Sequence, residues 1–144
     1  MTDKLLSYVL RNIKLQDCDY LRNGIYYTKR IVTEHAYDYE TGLDKPSYLE
    51  CEFLVITEHN IKQAIIYNCN DEDLHWYVFT NWRRKHVLSN ALRTGIIRDT
   101  WPHIDSVTCC CYSWEDKQAK YNLTKHLAAL AGLGIREEKT RWLS

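Results

Sequence analysis

Three consecutive cations, Arg83, Arg84 and Lys85, fall where an apolar run from His75 to Thr80 gives way to a helical pattern. The stretch Leu74 to Leu92 therefore reads as strand, basic turn and helix. A helix start leaves backbone N–H groups unpaired, and cations beside them complete the ground plan of an anion-binding site. Close approach of a phosphate to such a turn needs small residues, yet His86 and Leu88 stand at the positions in question and fill it. Cations at a helix N-terminus oppose the macrodipole, each by about a few tenths of a kcal/mol. An anionic partner would offset that cost, and a solvated helix start is the plainer alternative.

Other residues with chemical capacity are less well organised. Glu50, Glu52, Glu58 and His75 could each serve as a general base, but nothing in their spacing pairs any of them with a second group. Of six cysteines, Cys18, Cys51 and Cys69 are isolated and Cys109, Cys110 and Cys111 are consecutive in an apparent strand. Neither a CxxC pair nor a zinc spacing occurs, so buried, reduced thiols and no metal site are expected. Five tryptophans, Trp76, Trp82, Trp101, Trp114 and Trp142, divide between core positions and turns where exposed aromatics mark interfaces.

The elements that must hold these residues follow from periodicity. Leu5 to Asn12 reads as a short extended stretch leading to a helical turn at Gln16 or Asp17. Asn23 to Ser47 is polar and rich in tyrosine, punctuated by Gly24, Gly42 and Pro46, and reads as one or two short helices and a loop. Tyr48 to Ile56 reads as a central strand, Glu58 to Asn60 as a hairpin turn, Ile61 to Tyr67 as a second strand, and His75 to Thr80 as a third, forming an antiparallel meander. Val87, Leu88, Ala91, Leu92, Gly95 and Ile96 mark one helix through about Ile97, ended at Trp101-Pro102. Ile104 to Tyr112 reads as a strand. A helix with Leu123, Leu127, Leu130 and Ala131 on one face follows, stopped by Gly132 and Gly134, and the tail reads as an edge strand.

A chain of 144 residues suits one globular domain, and 45% apolar with 26% charged residues is far from the disordered regime. Nineteen cations balance nineteen anions, so nucleic-acid binding would have to rest on the local patch of Arg83, Arg84, Lys85, Arg93 and Arg98. The N-terminus lacks a basic region followed by a long apolar run, and no stretch reaches the roughly 18 apolar residues of a membrane span. A cytoplasmic protein is expected.

The order β, short helices, three β, basic turn, α, β, α, β resembles the GNAT (GCN5-related N-acetyltransferase) fold. Leu10-Arg11-Asn12 through Leu15, Asp17 and Leu21 is similar to that family's opening motif, and WRRKHVLSNAL at Trp82 to Leu92 to its R-G-x-G-x-G pyrophosphate turn. Ile104 to Tyr112, Asn122 and the helix ending LAGLGI are similar to its last motif. The resemblance implies an α+β fold, a mixed and mostly antiparallel central sheet flanked by helices, as a single domain over 1–144. It implies acetyl-CoA on Arg83, Arg84, Lys85, His86, Val87 and Leu88 if the chain is an active N-acyltransferase. The family's tyrosine acid falls at Leu130, which cannot transfer a proton, leaving Tyr121 and Glu52 as the remaining catalytic candidates. With the glycine turn and the tyrosine both replaced, the chain resembles degenerate members found as internal virion or head-assembly proteins of tailed bacteriophages. The expectation is then a protein without a cofactor that binds a phage or host protein, in the cytoplasm or the virion. An active acyltransferase and a nucleic-acid contact through 83–85 are the alternatives.

Overall fold

The computed structural model describes residues 3–38, 40–69, 73–112 and 115–141. Tyr39, Trp114, Trp142 and the side chains of Tyr37, Cys109, Cys110 and Cys111 lie outside that description. The fold is mixed α and β, with an antiparallel five-stranded sheet, a parallel two-stranded sheet and four α-helices among the described residues. The chain divides into two compact units, residues 1–85 and 86–144.

The first unit begins with helix α1 (Asp3–Asn12), where the sequence suggested an extended stretch. Leu6, Leu10 and Ile13 recur at helical spacing, and all three are buried against Val32, Phe53, Val55, Ile65 and Tyr67 of the sheet. Burial of that stripe decides between the two periods. A 3-10 turn at Leu15–Asp17 follows, where a helical turn was expected. Then come β1 (Asp19–Arg22), β2 (Ile25–Asp38), β3 (Leu43–Glu58), β4 (Ile61–Cys69) and β5 (His75–Val78), hydrogen-bonded in sequence order, each antiparallel to the next.

The expected short helices between Asn23 and Ser47 are therefore strands. Asn23 and Gly24, with φ of 52° and 74°, form a left-handed two-residue turn joining Arg22 to Ile25. That is the hairpin geometry that an Asn-Gly pair favours. A Cβ on Gly24 would lie 2.4 Å from the Thr57 carbonyl oxygen, so the close approach itself requires glycine. His59 and Asn60 make the equivalent turn between β3 and β4, as expected from the sequence.

The register explains the apolar run in β3. Cys51, Phe53 and Val55 face α1, while Leu54 and Ile56 pair with Ile66 and Ala64 on the other face, and all are buried. Cys51 and Cys69 are directly opposite each other and form a disulfide, which corrects the expectation of reduced thiols throughout. Isolated in sequence, the two cysteines meet only because the β3–β4 register brings them together. Cys18 is a free thiol.

The second unit opens with α2 (Val87–Leu92) and α3 (Ile96–Thr100), two helices where one through Ile97 was expected. Gly95, left-handed at φ 77°, separates them. Strand β6 (Ser106–Tyr112) pairs in parallel with β7 (Gly134–Arg141), connected by α4 (Lys117–Ala131). Asp116 caps α4 by accepting a hydrogen bond from the Ala119 amide at 3.1 Å. Left-handed Gly132 closes the helix, with the Leu133 amide reaching back to the Ala128 carbonyl. The buried face is Thr124, Leu127, Ala128 and Ala131, whereas Leu123 is 56% exposed, one position off the expected stripe.

Candidate functional site

Two of the three cations of the basic turn lie over aromatic rings. Strand β5 ends at Val78, and a 3-10 turn at Thr80–Trp82 leads into Arg83. The Arg83 Nε donates to the Val78 carbonyl at 3.0 Å, and its guanidinium lies 5.6 Å from the centre of the Tyr77 ring. The Lys85 ammonium lies 5.4 Å from the centre of the Trp82 ring. Both contacts are cation–π pairs, so each cation rests on an aromatic face of its own unit.

Arg84 and His86 adopt left-handed backbone, at φ 62° and 59°. His86 thus takes, at a cost of about 1–2 kcal/mol, the conformation that glycine adopts freely. It serves as N-cap of α2 without a side-chain capping bond. Val87 is half-buried and Leu88 is buried on the same helix as Ala91 and Leu92, so Leu88 is a packing residue. Helix α2 spans only six residues, and so short a helix carries little macrodipole to direct at an anion.

The expected catalytic residues fall in different units. Glu52 lies on β3, where its carboxylate accepts a hydrogen bond from the Tyr27 hydroxyl at 3.1 Å. Burial, this bond and the carboxylate charge push the Tyr27 pKa up to about 12. Tyr121 is half-buried on α4 of the second unit. Glu50 is exposed, Glu58 accepts from the Gln63 amide, and His75 stacks on the Tyr67 ring with centres 5.3 Å apart. Leu130 is half-buried on α4. Among the described residues no group of three or more His, Cys, Asp or Glu could hold a metal ion, and no helix is long and apolar enough to cross a membrane.

No protein-family model, curated protein or solved structure matches the chain.

Two further features of the first unit have no signature in the sequence. The first is a ribbon. β2 and β3 pair from Ile25↔Ile56 to Asp38↔Leu43, but β1 pairs only as far as Tyr27 and β4 only from Cys51. Among the described residues, 31–38 and 43–50 thus run past the flanking strands as a two-stranded ribbon, roughly 26 Å long at the rise of an extended chain. Pro46, which the sequence suggested as loop punctuation, sits inside β3 opposite His35. Proline is tolerated there because no described strand pairs with β3 on its other side at that point. Ile31, Leu43 and Tyr48 are 71%, 65% and 66% exposed on this ribbon.

The second feature is a cavity of about 300 Å³ in the first unit, lined by Tyr77, Phe79 and Trp82, with Ser7 and Arg11 from α1 and Thr80 and Asn81 from the turn. The Arg11 guanidinium lies 5.6 Å from the centre of the Phe79 ring. The C-terminal turn of α1 is clamped by Lys62, whose Nζ donates to the carbonyls of Leu10 at 2.8 Å, Arg11 at 3.0 Å and Ile13. Burial holds the Lys62 pKa below the usual lysine range.

Proposed function

We propose that this chain works by binding another protein through the β2–β3 ribbon, and that it performs no acyl transfer. The carrying observation is the ribbon itself, two strands extending past their neighbours with Ile31, Leu43 and Tyr48 exposed. Large exposed apolar side chains beside open strand edges are the ingredients of strand addition, in which main-chain bonds give affinity and alternate side chains give specificity.

Charge decides the kind of partner. By sequence, 31–50 carries Glu34, Asp38, Glu40, Asp44 and Glu50 against the single cation Lys45. Two such ribbons repel one another, so self-association is disfavoured and the complementary partner is a basic extended segment. The sequence resemblance to degenerate GNAT-like virion and head-assembly proteins of bacteriophages supplies the setting in this proposal, a particle component or a host factor. The His86 side chain at the left-handed position supports the non-catalytic reading.

Two measurements test it. A labelled alternating Lys-Val decapeptide should bind with an affinity that falls with salt, and the double substitution Ile31→Ser with Tyr48→Ser should weaken it at least about tenfold, roughly 1.4 kcal/mol. A Glu-Val decapeptide that binds equally well would refute the charge argument. Calorimetry with acetyl-CoA in the micromolar range should show no saturable binding. Micromolar binding abolished by Arg83→Ala would instead establish a coenzyme site.

A further inference from the structure

The geometry points to a second binding site, independent of the ribbon: the cavity of α1, β5 and the following turn takes one nucleotide unit, its base against Tyr77, Phe79 and Trp82 and its phosphate at Arg11.

Four properties of the cavity define that ligand. Its walls offer three aromatic side chains, Tyr77 and Phe79 edge to face with centres 6.1 Å apart and Trp82 beside them. All three are half-exposed. Any planar ring can stack on such faces, and base stacking on aromatic side chains is sequence-tolerant for the same reason. No lining residue is acidic, and Arg11 is cationic, with Arg83, Arg84 and Lys85 following Trp82 directly in the chain. A ligand that is both planar and anionic complements this lining. The polar groups that remain, the Ser7 and Thr80 hydroxyls and the Asn81 amide, are short donors and acceptors suited to a base edge or a sugar. Finally, about 300 Å³ is at the lower end of small-molecule sites, enough for a single nucleotide.

The cavity is held by its backbone, which limits the ordering cost of binding. The Phe79 amide donates to the Gln63 carbonyl at 3.0 Å, the Trp82 amide to Phe79 at 2.8 Å and the Arg83 amide to Thr80 at 3.3 Å. On the other wall, Lys62 clamps the carbonyl of Arg11 itself. The cations already rest on rings at 5.4 to 5.6 Å, so they lie near aromatic faces before any ligand arrives. A phosphate then adds a charge-assisted bond without a long excursion of the side chain.

The test is calorimetry of the full chain with 5′-AMP, 5′-UMP, dTMP and an oligothymidylate of eight nucleotides, with adenosine and inorganic phosphate as controls. Nucleotides should bind with a Kd on the order of 0.1 to 1 mM, and adenosine and phosphate at least tenfold more weakly. Arg11→Gln and Phe79→Leu should each raise the nucleotide Kd at least tenfold, while Ile31→Ser with Tyr48→Ser leaves it unchanged. An oligonucleotide more than tenfold tighter than dTMP assigns the site to single-stranded nucleic acid, and equal affinity to free nucleotides. No saturation by any of the four probes up to 10 mM, or binding that both cavity variants leave intact, overturns the inference. The ribbon variants separate this outcome from failure of the protein-binding reading.

Discussion

Replacing Lys62 by Met should destabilise the first unit by about 2–3 kcal/mol, because one ammonium group satisfies three carbonyls at the end of α1. The last carbonyls of a helix have no intrahelical partner, and Leu10 and Ile13 are 0% and 2% exposed, so water has poor access to two of the three. A single hydrogen bond to a charged group contributes about 1.5–3 kcal/mol. The three bonds share one charge and do not add, and the cation at the helix end contributes a further 0.3–1 kcal/mol or so. Against this stands the desolvation that lowers the Lys62 pKa. Methionine keeps the stem and its packing, so the change isolates the ammonium group. At a urea m-value of about 2 kcal/mol/M, the midpoint should fall by about 1–1.5 M. Hydrogen exchange gives the local readout, since the Ile13 amide, which donates to Val9, should lose protection before β3 and β4 do. A midpoint within about 0.3 M of wild type, with the Ile13 amide as protected as before, would refute the clamp. The same variant should weaken nucleotide binding, because Arg11 sits on the released turn.

Other expectations follow from single features. Reduction of the Cys51–Cys69 disulfide, which closes a sequence separation of 18, should lower stability by about 3 kcal/mol on the chain-entropy account, measured by urea unfolding with and without reductant. Thiol titration of the denatured, unreduced chain should miss two of the six cysteines, and six free thiols would contradict the pairing. Gly132→Ala should cost the second unit about 1–2 kcal/mol, since φ is +77° and the new Cβ would lie 2.8 Å from Arg98 Nε. An unchanged unfolding midpoint would show that the turn relaxes freely. Tyr27 has a folded pKa raised from 10.0 to about 12, so the stability it contributes is present below pH 10 and is lost as the pH climbs to 12. Cys18, raised above 9.0 by burial, acts in the same direction, whereas Lys62, lowered below 10.5, gains stability as pH rises toward that value. Tyr27→Phe should therefore flatten the fall in the urea midpoint above pH 10, and an identical fall in the variant would remove Tyr27 as its cause.

Local chemistry made some of this fold legible. Ile61 to Tyr67 and Tyr48 to Ile56 are strands because their runs are too apolar for a half-solvated element, and His59-Asn60 turns between them. Trp101-Pro102 ends α3, Asp116 starts α4 and Gly132 stops it, each through a backbone property that needs no distant neighbour. Asn23-Gly24 carried the same kind of signal, and the hairpin it specifies turns Ile25 to Asp38 from presumed helix into strand.

What sequence alone did not decide depends on residues distant in the chain. Leu5 to Asn12 could be read at either period until the sheet face of Val32, Phe53 and Ile65 selected the helical stripe. Pro46 reads as a loop unless one knows that it pairs with His35 of β2 and that no described residue of β4 pairs with β3 beyond Cys51. Cys51 and Cys69 carry no motif and meet only through register. Arg11 lies over the Phe79 ring because the end of α1 that carries it is fixed by Lys62, 51 positions further along the chain. The sequence determined the turns and caps, whose geometry is set within four or five residues. The open ribbon, the disulfide and the cavity were settled by strand register and helix docking, because those contacts join residues that no local pattern links.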